Sequence, residues 1–222
     1  MLDTGRLGLT GLEALVREGV RVLTSDETRP RADEWQVLLK AGRISRTFLS
    51  VFWNGPLPSA EGSGGITRQA LEDLLARGLD LHISNLNARR DLVLISDLAA
   101  VSKSGRGNFV YYHHGPLAAD LALPASRGAR VHLTDGGSAE ETWAGLAVAT
   151  ARAGAAAGAR TVVRVERGLP LDVLEELWAA GASLLFLTPP SDDRSLLRPI
   201  ETRAARRKVP ARAYFLSMAF LP

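Results

Sequence analysis

Residues Asn108–Gly136 read NFVYYHHGPLAADLALPASRGARVHLTDG. Phe109-Val110-Tyr111-Tyr112 is a continuous apolar and aromatic run, His113-His114-Gly115-Pro116 breaks it, and Ala129-Arg130-Val131-His132-Leu133-Thr134 resumes it after a short helical pattern. Glycine and proline stop the first run because neither extends a strand ladder well. A strand, a helical connection and a second strand are the parts of a βαβ unit, whose two strands run parallel. Three of the four histidines fall inside this stretch, at or near the places where its strands stop.

The same rhythm extends outward in both directions. An amphipathic helix, a glycine and then a strand recur in LEALVREG-VRVLTS, WQVLLKAG-RISRTFLSVF, LEDLLARG-LDLHIS, LALPASRG-ARVHLT, ATARAGAAAG-ARTVVRV and VLEELWAAG-ASLLFLT. Gly19, Gly42, Gly78, Gly128, Gly158 and Gly181 are each placed to end a helix in the left-handed conformation that a Cβ disfavours. Thr10 with Glu13 and Ser138 with Glu141 have capping-box spacing, and Pro170 suits the start of a helix. Strands are expected near Val20–Thr24, Thr47–Trp53, Leu79–Ser84, Leu92–Ser96, Phe109–His113, Ala129–Thr134, Thr161–Val165, Ser183–Leu187 and Ala211–Phe220.

Most of these strands are unbroken apolar runs, the pattern of a parallel sheet buried on both sides. The expected fold is therefore α/β, with a mainly parallel, doubly wound sheet and helices on both faces. Short connections from Ser84 to Leu92 and from Ser96 to Phe109 leave no room for a crossover helix, which implies an antiparallel excursion in the middle of the sheet. A small barrel is the alternative closure of the same pattern. No linker or repeat interrupts residues 1–222, so a single domain is expected, a size one core can serve.

Composition excludes several chemistries. There is no cysteine, hence no disulfide, thiolate metal site, iron–sulfur cluster or cysteine nucleophile. The net charge is +3, and the 27 basic residues include only three lysines, Lys40, Lys103 and Lys208. Against 24 acidic residues this is a balanced surface and not that of a polycation. No signal-peptide pattern opens the chain, and no apolar run approaches the roughly 18 residues of a membrane span. A cytoplasmic location is the resulting expectation.

In α/β sheets ligands sit beyond the carboxyl ends of the strands. Those ends carry Asp26-Glu27-Thr28-Arg29, Asn54, Asn85, Asn87, Asp97, His113-His114, Asp135 and Glu166-Arg167. Carboxylates, imidazoles and arginine on one side are the ingredients of metal-assisted or acid–base catalysis. Asp97, His113 and Asp135 are the candidates for binding a divalent metal or moving protons. His82 and His132 lie inside strands, alternating with apolar neighbours, and read as structural. Arg29 and Asn54 are candidate ligand contacts, Arg29 by its bidentate fork. Ser63, Gly64 and Thr67 belong to a glycine-rich loop that opens a helix beside Arg68, an arrangement suited to an anion. A second glycine loop, Lys103-Ser104-Gly105-Arg106-Gly107-Asn108, is basic but leads into a strand. Neither loop has the form GxxxxGK[ST] or GxGxxG.

Asp26-Glu27-Thr28-Arg29-Pro30 resembles the D-x-T-R-P segment of the nickel-dependent lactate racemase family, in which the arginine faces substrate. The resemblance spans five residues, and that family's GTHR and PHxxxGxSGGxK motifs are absent from this chain. Two readings of function follow from the residues themselves. One is a small-molecule-binding protein, in its strongest form a metal-assisted hydrolase of a phosphate- or carboxylate-bearing ligand. The alternative is a non-catalytic binding module whose C-terminal Arg203, Arg206 and Arg207 contact nucleic acid or a protein partner. A homodimer through an exposed sheet edge is a further expectation.

Overall fold

The computed structural model describes residues 8–20, 22–25, 32–45, 49–53, 57–58, 66–85, 91–105, 107–114, 119–134, 141–165, 169–186 and 213–215. The chain divides into two compact units, residues 1–112 and 113–222. In the first unit the elements run α1 (Leu9–Arg17), β1 (Val22–Ser25), α2 (Ala32–Ser45), β2 (Leu49–Trp53), α3 (Arg68–Ala76), β3 (Asp80–Ser84), α4 (Leu92–Ser104) and β4 (Phe109–His113), whose last residue opens the second unit. There a short 3-10 turn leads to α5 (Ala122–Ser126), β5 (Arg130–Thr134), α6 (Glu141–Ala156), β6 (Thr161–Val165), α7 (Leu171–Ala179), β7 (Ser183–Phe186) and β8 (Ala213–Phe215).

The turn chemistry read from the sequence is largely what the chain uses. Gly19, Gly78, Gly128, Gly158 and Gly181 all have positive φ, between 72° and 101°. At Gly78 the reason is visible: its N–H bonds the carbonyl of Leu75 while Leu79 N–H reaches back to Leu74, the paired bonds that close a helix end. Gly42 differs, because α2 continues through it to Ser45. Thr10 differs as well: α1 begins at Leu9 after Gly8, with no side-chain cap. The Ser138 cap lies outside the described residues.

One expected strand is a helix. Leu92-Val93-Leu94-Ile95 looks like a buried strand if only the apolar run is counted, yet Asp91 precedes it and accepts the N–H groups of Val93 and Leu94 at 2.9 and 3.2 Å. With its first orphan donors satisfied, the segment winds into α4 and buries Ile95, Leu98, Ala99 and Ser102 at spacings of three, four and seven. The crossover helix between β3 and β4 is thereby supplied. No antiparallel excursion is needed.

Every described strand pair is parallel: β1 with β2, β2 with β3, β3 with β4, β5 with β6, β6 with β7 and β7 with β8. The mainly parallel α/β fold is as the sequence implies. Among the described residues the end strands of neither unit pair with each other, so neither unit closes into a barrel. Helix placement differs from the expectation of two covered faces. Within each unit the strand order follows the sequence without reversal, and right-handed crossovers that step in one direction return each helix to the same face. The contacts between α1 and α2, α2 and α3, α3 and α4, α5 and α6, and α6 and α7 agree with such a single layer.

That layer identifies the two faces of each row. Trp35 of α2 meets Trp53 of β2 edge to face at 6.3 Å, so Trp53 points toward the helices. Its register partner is Ile83, and the partner of Ile83 is Tyr111. Val51, Leu81, Ile83 and Tyr111 are essentially fully buried on this side. In the second unit Thr161 donates its hydroxyl to the carbonyl of Thr150 in α6, which puts Thr161, Val163 and their partners Val131 and Leu133 on the helix side. Residues at the alternate positions point the other way.

Candidate functional site

Face assignment reverses the standing of the histidines. His113 is the last residue of β4 and shares the parity of Phe109 and Tyr111, so it points to the helix side, where it is 9% exposed. His82 and His132, read from sequence as structural, stand on the face opposite the helices and are half-buried. Their alternation with apolar neighbours is that of strand residues, but alternation alone does not say which of the two faces the helices cover.

In the first unit the opposite face carries a cluster of three rings. Phe52 of β2 is in register with His82 of β3, and Tyr112 of β4 stands next to them. Ring centroids are 6.4 Å apart for Phe52 and His82, 5.9 Å for His82 and Tyr112, and 5.6 Å for Phe52 and Tyr112. The planes differ by 20° to 39° and the three distances are nearly equal, so the rings form a compact triangular cluster, partly stacked on one another. His82 Nδ1 and the Tyr112 hydroxyl are hydrogen-bonded at 3.1 Å, which fixes both rings. On the same face, two residues before His82, Asp80 accepts the backbone N–H of Asn108 at 2.6 Å and so pins the start of β4 to that of β3.

Asp97 occupies a different setting from the strand end expected of it. It lies on the exposed surface of α4 and accepts a hydrogen bond from Arg68 at 3.1 Å; Arg68 also binds Glu72 at 2.8 Å. The bond to Glu72 holds the Arg68 guanidinium above its ordinary value; burial opposes this and the bond to Asp97 reinforces it. Asp97→Asn is expected to change stability by less than about 1 kcal/mol, the usual worth of an exposed pair. Thermal melting checks this, and a loss of several kcal/mol would show that Asp97 does more than pair with Arg68.

The glycine loops resolve in part. Thr67 is the N-cap of α3, its hydroxyl accepting the N–H of Ala70 at 3.2 Å, and Arg68 beside it already serves two carboxylates. The second loop is a packing device. A Cβ on Gly105 would stand 2.6 Å from the Leu75 carbonyl oxygen, and one on Gly107 would overlap the carbonyl of Leu79. Carbonyl oxygens facing the loop are acceptors, the wrong partners for an anion.

Asp135, Arg29, Asn54, Ser63 and Gly64 lie outside the described residues, as do Arg203, Arg206 and Arg207. Among the described residues no three His, Asp or Glu side chains converge as a metal site, and no helix is long and apolar enough to cross a membrane. Compared with known proteins, the chain matches no family model and no curated sequence.

Proposed function

We propose that the protein binds a small ring-bearing molecule on the face of β2, β3 and β4 turned away from their helices. The observation that carries this reading is the Phe52–His82–Tyr112 ring cluster. Parallel strands normally bury both faces in apolar side chains. This face instead presents three half-buried rings in mutual contact, two of them joined by a hydrogen bond. A flat ligand ring gains aromatic contacts against such a cluster, and preorganised rings lose little freedom on binding. His82 and Tyr112 add polar groups that orient the ligand, the usual division of labour in a small-molecule site. The hydrolytic form of the reading, which relied on Asp97 at a strand end, is not carried forward.

Saturation-transfer difference NMR with benzoate and adenosine as ring probes tests the proposal. Ring protons of at least one probe are expected to receive saturation, and Phe52→Ala with Tyr112→Ala to weaken its affinity about tenfold, within the roughly 1–3 kcal/mol typical of a lost stacking contact. No transfer to either probe, or undiminished binding by the double variant, would overturn it.

A further inference from the structure

The second unit has its own anomaly on the corresponding face, an arginine in the middle of a parallel row. Arg164 is the fourth of five residues of β6, a strand paired on one side with β5 and on the other with β7. Inner parallel strands favour apolar β-branched residues, and Thr161, Val163 and Val165 on the helix side are all buried. Arg164 points the other way and is exposed.

Its neighbours are set by register. Thr134 of β5 lies beside it, Leu185 of β7 lies on the other side, and His132 pairs with Val162 one step down the same face. Adjacent strands are about 4.8 Å apart and alternate residues about 6.6 Å apart, so Arg164, Thr134 and His132 emerge from one small patch. Thr134, His132, Val162 and Leu185 are each half-buried. Val162 on the same strand and Leu185 in register with Arg164 give the patch an apolar component beside the arginine.

We propose that Arg164, Thr134 and His132 form a binding site for an oxyanion, the carboxylate or phosphate group of a small molecule. The guanidinium fork matches two oxygens of such a group at once. The Thr134 hydroxyl and an imidazole N–H of His132 donate to the oxygens that remain. This inference is independent of the ring cluster, since it stands on different residues in the other unit.

The test is a titration of the full chain with inorganic phosphate and, separately, with acetate at constant ionic strength. The His132 ring signals are followed by NMR, assigned through His132→Gln. A saturable shift is expected with at least one anion. Saturation by phosphate alone assigns a phosphate-bearing ligand, and saturation by acetate alone a carboxylate-bearing one. Arg164→Ala is expected to weaken binding at least tenfold, and Arg164→Lys less. Because Arg164 is exposed, its alanine variant keeps the core, which circular dichroism and melting temperature verify. Shifts that stay linear in both anions, or an Arg164→Ala variant that titrates like the wild type, would overturn the proposal while leaving the ring site untouched.

Discussion

Gly107→Ala is expected to destabilise the protein by about 2–3 kcal/mol, the scale of overpacking against a fixed neighbour. The added methyl would overlap the Leu79 carbonyl, with the backbone carbon of Gly78 only 3.1 Å away. Both neighbours are backbone atoms of the α3–β3 turn, and that turn is held by the bonds from Gly78 and Leu79 back to Leu75 and Leu74. It cannot give way as the end of a flexible side chain would. Gly105→Ala is a milder version of the same clash. Urea denaturation followed by tryptophan fluorescence measures the loss as a lowered midpoint. An unchanged midpoint for Gly107→Ala would mean that the loop does not pack against the turn.

Leu81→Ala is expected to cost more, about 3–5 kcal/mol, because it removes transfer energy and leaves a cavity. Leu81 is fully buried at the second position of β3, in register with Val51 on one side and Phe109 on the other, all on the face that meets the helices. Strands locked by two ladders collapse poorly around a missing side chain. The same denaturation experiment applies. A loss below about 1 kcal/mol would contradict the placement of β3 as an inner strand.

These two sites show how unevenly the sequence speaks. Leu81 was legible: it sits in a short apolar run after a helix-ending glycine, and the run is a strand. The glycines that end helices were legible for a local reason, since a residue needing positive φ declares itself by lacking a Cβ. Gly107 was not. Its lack of a side chain serves a carbonyl that lies 28 residues back in sequence, and nothing local distinguishes it from a flexible turn or a phosphate loop. Leu92–Ser96 was misread because four consecutive apolar residues fit strand and helix alike. The deciding signals were Asp91 as a cap and the continuation of the pattern to Ser102.

The candidate site was less legible than the fold. Polar residues at strand ends drew attention to Asp97 and His113, one of which is a helix-surface partner of Arg68 and the other a buried residue on the helix side. The residues that form coherent patches, Phe52 with His82 and Tyr112, and Arg164 with Thr134 and His132, come from different strands and meet only through register. A signal existed in Arg164, a charged residue inside the apolar run TVVRV. Read with the parallel assignment, it already marks a face that is not fully buried.

By itself the sequence determined the alternation of helices and parallel strands, because helix period, strand period and turn glycines are properties of short segments. Only the tertiary structure decided which side of each strand the helices cover. Period-two alternation defines two faces but ranks neither; strand order and the hand of the crossovers rank them. That ranking turned His113 toward the helices and His82 and His132 to the opposite face.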